Sequence, residues 1–335
     1  FDVSLPVAWL AVALLLGTPI PVGAQLTDLG SALLTECAAP GDCGQGDAFG
    51  SAFAVGDFDD DGYDDLAVGV SGETQGGNQN AGAVHVYYGS PGGLRTAGEQ
   101  IFHQDVSGIA GVVEPGDFFG TSLAVGDFDL DGFDDLAIGI DGEDLGEILE
   151  AGAVAVLFGS ASGLVTAGSL ALTQDDLPSG SGESAEAYDQ FGGALASNGG
   201  SGLAVGAPGE DFLLPNEQGA GLVHVFGRSG AGNALNTVTD RTQNDFLGEC
   251  GAFDGNELNE FWGSHLVFGQ VSASAPSLIV SGQLESFGGV ELARVVVEDG
   301  TIGHGEIRVG DTVVLAFDRR PGWPSMPSLL RVFVQ

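Results

Sequence analysis

The sequence predicts an all-β fold, a β-propeller built from four-stranded antiparallel blades. Three observations support this prediction. An aromatic-glycine marker recurs about every 70 residues, short apolar runs follow each marker at matching offsets, and 58 glycines separate these runs. No long segment has the 3.6-residue periodicity of an amphipathic helix. With 335 residues, 43% of them hydrophobic, the chain can bury a large core.

The marker opens each repeat. Its four copies are Phe49-Gly50, Phe119-Gly120, Phe191-Gly192 and Trp262-Gly263. Two apolar runs separated by a loop follow each marker, then a third run and a weaker fourth, so we predict four strands per repeat. The predicted propeller domain covers residues 25–335, with repeats near 47–116, 117–188, 189–258 and 259–335.

Four-stranded repeating units are typical of propeller blades, and a stack of sheets or a β-sandwich is the alternative. Residues 31–35 resemble the fourth strand of a blade although they precede the first marker. We predict that they pair with the last blade and close the ring, which removes exposed sheet edges. The sequence leaves the number of blades open. The chain is truncated, or the ring is smaller, or the tail at 290–335 forms a degenerate blade.

The N-terminal segment, residues 1–24, resembles a signal peptide. Its central run at 7–16 has the length of an h-region, and Val22-Gly23-Ala24 predicts cleavage after Ala24. A retained hydrophobic anchor or assembly helix is the alternative. The start at Phe1, without Met or a basic n-region, leaves open whether the chain is a fragment. The predicted location is secreted, cell-surface or periplasmic.

The cysteine count and the net charge exclude some classes of protein and disfavour some classes of partner. Three cysteines are too few for a disulfide scaffold; Cys37 pairs with Cys43 or, in the alternative, the N-terminal segment is bridged to Cys250. The net charge is −39, from 47 acidic residues and 8 basic ones, all arginine. This charge argues against nucleic acid and anionic membranes as partners, because both require a cationic face. It favours cations, or serves solubility in a salty setting.

Two nine-residue loops, 57–65 and 127–135, carry aspartate at positions 1, 3, 5 and 9 and glycine at position 6. Such carboxylates, with a main-chain carbonyl at position 7, suit one hard cation, and glycine permits the sharp turn. The crowded carboxylates repel one another at neutral pH, and a dication relieves this repulsion. We predict two Ca²⁺ sites. The predicted ligands are Asp57, Asp59, Asp61, Asp65 and the Tyr63 carbonyl, and Asp127, Asp129, Asp131, Asp135 and the Phe133 carbonyl.

An EF-hand requires glutamate at position 12, where these loops have Val68 and Ile138 inside predicted strands. The other alternative is an aspartate-rich turn without an ion, but the pattern occurs twice at the same point of the repeat. The third and fourth repeats lack it. We expect dissociation constants of about 10⁻⁴ to 10⁻³ M, as in extracellular calcium modules.

The chain resembles FG-GAP repeat proteins, the family that includes the β-propeller head of integrin α subunits. The resemblance is carried by the three Phe-Gly markers, the two aspartate loops, Asp64-Asp65-Leu66-Ala67-Val68-Gly69 and Gly206-Ala207-Pro208-Gly209-Glu210. It implies Ca²⁺ bound by the loops at the blade edge. Integrin heads have seven blades, whereas four markers occur here. No adhesion site is carried over, because the integrin ligand surface lies in variable loops and partly in a second subunit.

No catalytic residues are predicted, since neither a nucleophile with its base, nor a histidine metal set, nor a phosphate-binding loop is recognisable. The leading hypothesis is an extracellular interaction or adhesion module with structural calcium, whose partner is a protein or glycan on an extracellular surface. One alternative is a part of a secreted hydrolase or lyase. Another is a propeller lectin that stacks glycans on Tyr63, Phe133, Tyr87 and Tyr88.

Overall fold

The computed structural model describes most of the first three repeats and short segments of the remainder. The described residues are 34, 46–176, 184–211, 221–227, 235, 237–241, 264–272, 275–283, 291–295, 306–309, 312–315 and 332–333. The predicted signal-peptide-like segment, the three cysteines and the predicted strand at 31–35, apart from Leu34, lie outside these residues.

Eighteen β-strands and one short 3₁₀-helix make up the secondary structure of the described part. The strands are β1 Phe49–Gly56, β2 Asp65–Val70, β3 Ala83–Tyr87, β4 Gln100–Phe102, β5 Leu123–Gly126, β6 Asp135–Ile140, β7 Ala153–Phe158, β8 Val165–Leu172, β9 Ala194–Ser197, β10 Leu203–Ala207, β11 Leu222–Gly227, β12 Thr237–Arg241, β13 His265–Ser272, β14 Ala275–Gln283, β15 Glu291–Val295, β16 Glu306–Val309, β17 Thr312–Leu315 and β18 Val332–Phe333. The helix is Gln174–Asp176.

The strands form antiparallel meanders. Sheets β1-β2-β3-β4, β5-β6-β7-β8 and β9-β10-β11-β12 each have four strands in chain order, and β13-β14-β15 and β16-β17-β18 have three. This confirms the predicted all-β fold with four-stranded antiparallel blades. The segment predicted as the fourth repeat, 259–335, contains strands of two separate sheets.

The first strands of successive sheets are neighbours, because β1 contacts β5, β5 contacts β9 and β9 contacts β13. The second and third strands of the first two sheets are buried along their whole length. One apolar cluster lies between the first and second sheets and another between the second and third. The sheets therefore pack face to face about their first strands, which is the arrangement of propeller blades.

The Phe-Gly marker joins each blade to the one before it. Phe119 and Phe191 are fully buried, and their backbones form parallel bridges to Gly82 and Gly152, which immediately precede the third strand of the previous blade. Gly82 has a φ of +84°, and a Cβ atom there would lie 2.3 Å from the Phe119 carbonyl oxygen. Only glycine fits this junction, because both the backbone conformation and the close approach exclude a side chain.

A repeated glutamine-glutamate pair also links neighbouring blades. Gln104, beyond β4, donates to the carboxylate of Glu143 beyond β6, and Gln174 donates to that of Glu210 in the same way one blade later. All four side chains are buried. Burial raises the pKa of Glu143 to about 7, with the Gln104 hydrogen bond opposing this and Asp117, Glu114 and Asp144 adding to it.

This buried carboxyl predicts a pH-dependent stability. The folded-state pKa lies above the ordinary 4.5, so the stability that Glu143 contributes is complete below pH 4.5 and is lost as pH rises through about 7. We expect Glu143→Gln, which keeps an oxygen to accept from Gln104, to stabilise the calcium-free protein at pH 7.5 by about 2–3 kcal/mol and to have little effect at pH 4.5.

Urea unfolding at the two pH values measures this difference. Glu147→Gln is the matched control, because Glu147 is exposed in the same loop and the same change should leave stability unaltered. A Glu143→Gln protein less stable than wild type at pH 7.5 would contradict the assignment.

Candidate metal centre

The two aspartate loops connect the first and second strands of the first two blades. Loop 1 (57–65) lies between β1 and β2, and loop 2 (127–135) lies between β5 and β6. The aromatic residue at position 2 anchors each loop, since Phe58 and Phe128 are completely or almost completely buried. The glycine at position 6 has a positive φ, +86° at Gly62 and +100° at Gly132. The chain thus turns sharply above a fixed apolar anchor.

Carboxylates at the start of loop 1 accept hydrogen bonds from the backbone of the loop. The Asp61 and Gly62 N–H groups donate to the two oxygens of Asp57 at 3.0 and 2.9 Å, and the Tyr63 N–H donates to Asp61 at 3.0 Å. These bonds gather positions 1, 3 and 5, because the Asp61 N–H also lies 3.3 Å from an Asp59 oxygen.

Loop 2 repeats this pattern. The Asp131 and Gly132 N–H groups donate to Asp127 at 3.0 and 3.2 Å, Asp131 also reaches Asp129 at 3.1 Å, and the Phe133 N–H donates to Asp131 at 3.0 Å. The same local sequence therefore folds in the same way in both blades.

The aspartate at position 9 is buried at the start of the second strand. Asp65 accepts the N–H groups of Phe58 and Gly89 at 2.9 and 2.7 Å. Asp135 accepts those of Phe128 and Gly159 at 2.7 and 2.9 Å. This side chain closes the loop on its own first residues and ties it to the end of the third strand.

Burial raises the pKa of Asp65 to about 6 and that of Asp135 to about 7, even though the backbone hydrogen bonds favour the charged form. The pKa values of Asp59 and Asp129 are also raised, first by burial and then by repulsion from Asp61 and Asp131, respectively. The raised pKa values show that the charged carboxylates are only partly compensated within the protein, which is the condition that a bound cation relieves.

Three of the predicted carboxylates converge in each loop. Oxygen atoms of Asp57, Asp59 and Asp61 lie within 4.8 Å of one another, as do oxygens of Asp127, Asp129 and Asp135. Ligands that share one calcium ion at 2.3–2.6 Å cannot lie more than about 5 Å apart, so both sets fit that ion. Asp65 and Asp131 are not members of these two groups, and the carbonyls of Tyr63 and Phe133 stay predicted ligands.

A contact between the loops was not apparent from the sequence. The Asp57 N–H donates to the Asp134 carboxylate across the blade boundary at 2.9 Å, and the Asp134 N–H faces the Asp57 carbonyl at 3.4 Å. The side chain of Asp134, at position 8 of loop 2, therefore holds the backbone of Asp57, at position 1 of loop 1. The only available signal was the aspartate at position 8 in both loops, which the ligand pattern does not require.

The equivalent turn of the third blade is built differently. Its Asn198 side chain accepts the Gly200 and Gly202 N–H groups at 3.0 and 3.1 Å, and the turn carries no carboxylate. A neutral amide closes this shorter turn, in agreement with the absence of the aspartate pattern from the third repeat.

Two of the four residues considered for glycan stacking are unavailable, and Phe133 is half-buried. Tyr87 and Tyr88 are buried, whereas Tyr63 is 42% exposed. His85 and His224 are also buried, with their rings 5.9 Å from Phe49 and 5.4 Å from Phe191. These residues pack in the blades, as expected for side chains of the third strand.

No helix in the described residues has both the length and the apolar character needed to cross a membrane.

Comparison with known proteins identifies the repeat. The FG-GAP repeat model matches residues 49–87 and 119–157. Phosphatidylinositol-glycan-specific phospholipase D of Bos taurus is 36% identical over 114 residues, 34% of this chain and 14% of that protein. Integrin alpha-5 of Xenopus laevis is 38% identical over 98 residues, 29% of this chain and 9% of that protein.

Integrin alpha-7 of Rattus norvegicus is 36% identical over 121 residues, 35% of this chain and 9% of that protein. The similarity thus spans a small part of each relative's length. Both FG-GAP matches begin at the marker phenylalanine, contain an aspartate loop and end in the third strand. Residues 49–87 and 119–157 are therefore FG-GAP repeats, and this part of the chain is similar to integrin α subunits.

Proposed function

We propose that each aspartate loop binds one Ca²⁺ ion and that these ions are structural. Asp57, Asp59 and Asp61 hold the ion in loop 1, with Asp65 and the Tyr63 carbonyl completing the oxygen set. Asp127, Asp129 and Asp135 hold it in loop 2, with Asp131 and the Phe133 carbonyl. The convergence of three carboxylates in each loop is the observation that carries this proposal.

The donor chemistry supports calcium in preference to other metals. Oxygen donors favour calcium or magnesium over zinc and copper, and a loop with this many carboxylates suits the higher and more flexible coordination of calcium. A structural role follows from the connections of the loops. Asp65 and Asp135 bond to the third-strand ends at Gly89 and Gly159, and Asp134 bonds to the neighbouring blade. An ion that fixes these loops stabilises two blades and their junction.

Titration with calcium tests the two sites. Wild type should bind two ions per chain, and Asp59→Ala and Asp129→Ala should each bind one, because each change removes a central ligand. The calcium-induced stabilisation should be about 1–2 kcal/mol per site at ten times the dissociation constant. Isothermal titration gives the stoichiometry, and thermal melts give the stabilisation.

Asp60→Asn is the control, since Asp60 is exposed in loop 1 and is not a predicted ligand. It should keep both sites. If Asp59→Ala and Asp129→Ala bind as many ions as wild type, the loops are not calcium sites.

At the level of the whole chain, we propose an extracellular interaction module without catalytic activity. The similarity to integrin α subunits supports this function, as do the strongly acidic composition and the packing of His85, His224 and Tyr87 inside the blades. The partner is a protein or a glycan on an extracellular surface. Nucleic acid and anionic membranes are disfavoured by the charge of −39.

The similarity to phosphatidylinositol-glycan-specific phospholipase D favours a second candidate, in which these blades are part of a hydrolase. The two candidates differ in a direct assay. An interaction module should bind immobilised extracellular proteins or glycans in calcium and lose this binding when Asp59 and Asp129 are both replaced by alanine. Release of a phosphatidylinositol-glycan-anchored protein by the purified chain would favour the hydrolase, and calcium-dependent surface binding without such release would favour the module.

A further inference from the structure

The basic residues of this chain are very unevenly distributed. Arg95 is the only lysine or arginine in the first 227 residues, a stretch that contains both aspartate loops. Its Nη2 atom lies 3.5 Å from Asp61 Oδ2 and 3.9 Å from Asp59 Oδ2. The single arginine of this acidic region therefore lies beside two of the three carboxylates that converge in loop 1.

We propose that Arg95 is a tethered cation that sets the calcium affinity of loop 1, stabilising the loop when calcium is absent and opposing the ion when it binds. This inference rests on the proposed calcium site in loop 1.

The fold places Arg95 at this position. It follows the third strand of the first blade, where its N–H donates to the Tyr88 carbonyl at 2.8 Å. The preceding Leu94 packs against the apolar cluster that includes Leu66 and Tyr87. The backbone is thus fixed near the loop, whereas the side chain is 49% exposed to solvent.

The second blade supplies a natural comparison. Residues 159–168 match 89–98 in the sequence, and Val165 takes the place of Arg95. Val165 packs against the apolar cluster between the second and third sheets. Among the described residues, loop 2 therefore has no cation at the position equivalent to Arg95. Loop 1 also carries one additional carboxylate, Asp60 in place of Leu130, so the role of Arg95 is best tested within loop 1.

The electrostatics give the direction of the effect. An exposed ion pair contributes little stability by itself. A calcium ion bound to Asp59 and Asp61, however, would bring two positive charges within a few ångströms of the guanidinium. Even in water, with screening by salt, that repulsion changes binding by about threefold to tenfold. Removing the guanidinium should therefore tighten calcium binding in loop 1.

The test uses the full chain with Asp129→Ala, so that loop 1 is the remaining site. In that background Arg95→Val, which introduces the residue of the second blade, should tighten calcium binding by about threefold to tenfold at low salt. The gain should shrink in 0.5 M NaCl. Arg95→Lys keeps the charge and should stay within about twofold of the parent. Isothermal titration measures all three proteins.

Thermal melts give a second readout that a purely structural role for Arg95 would not produce. Arg95→Val should melt below its parent in EDTA and should gain more than its parent from calcium. In the reciprocal background, Asp59→Ala, the change Val165→Arg should weaken calcium binding at loop 2.

Calcium affinity at loop 1 that is unchanged or weaker in Arg95→Val would overturn the role of Arg95 alone. Absence of calcium binding in the Asp129→Ala parent would overturn the loop 1 site together with this inference.

Discussion

Replacing Asp135 with alanine is expected to lower the free energy of unfolding by about 3–5 kcal/mol, because it leaves buried backbone donors without an acceptor. The Asp135 carboxylate is fully buried and accepts the N–H groups of Phe128 at 2.7 Å, Gly159 at 2.9 Å and Asp129 at 3.3 Å. The alanine side chain can accept none of these bonds, and water has no access to the position.

Asp135→Asn separates the hydrogen bonds from the charge. The amide keeps the shape and one accepting oxygen, and it removes the charge whose burial raises the pKa of Asp135 to about 7. This relief opposes the lost hydrogen bonds, so we expect the stability in calcium-free buffer at pH 7.5 to stay within about 1–2 kcal/mol of wild type, well above that of Asp135→Ala. Both variants remove a negative ligand and should weaken calcium binding at loop 2. Urea unfolding with and without calcium, followed by far-ultraviolet circular dichroism, measures the two effects separately.

Asp105→Ala is the control for these changes, because Asp105 is exposed in the loop between the first two blades. Its stability should lie within about 0.5 kcal/mol of wild type. Equal stabilities for Asp135→Ala and Asp105→Ala would show that the carboxylate does not hold the loop to the blade.

Replacing Phe119 with alanine should also cost about 3–5 kcal/mol, the range for a large aromatic side chain removed from a core. Phe119 is fully buried in the cluster between the first two sheets, together with Val84 of one blade and Ile138 of the next. The surrounding structure should fill the cavity only partly, because the bridge between the Phe119 backbone and Gly82 holds the backbone in place.

Phe118→Ala provides a matched comparison at the neighbouring position. Phe118 is 37% exposed, so the same loss of a phenyl ring should cost less than about 1.5 kcal/mol. Equilibrium unfolding in urea gives both values. Similar losses for the two variants would contradict the role of the marker phenylalanine as the core residue of the blade junction.

The sequence predicted the blades and the loops because both depend on local patterns. The Phe-Gly marker, the two apolar runs and the third strand recur at fixed offsets, and a strand pattern of period two or a short buried run can be recognised without knowing its partners. Gly62 and Gly132 are also recognisable from the local sequence, because a sharp turn at position 6 of the loop requires glycine. The sheets β1 to β4, β5 to β8 and β9 to β12 follow this repetition strand by strand.

The contacts between repeats could not be predicted in this way. The bond from Asp57 to Asp134 joins residues that are 77 positions apart, and the pair of Gln104 and Glu143 joins residues that are 39 apart. Neither spacing has a local signature. The packing of one blade on the next decides which carboxyl meets which amide. Folding also buries Asp65 and Asp135 deeply enough to raise their pKa.

The sequence by itself determined that the chain repeats a four-stranded antiparallel unit and that two of its loops carry a calcium pattern, since spacing and residue type suffice for both. Only the tertiary structure decided that Asp57, Asp59 and Asp61 converge while Asp65 is directed to the backbone of its own blade. Only the tertiary structure brought Arg95, which lies 34 residues beyond Asp61, to the same carboxylates. The physical reason is that charge interactions depend on distance in space, and folding alone sets that distance.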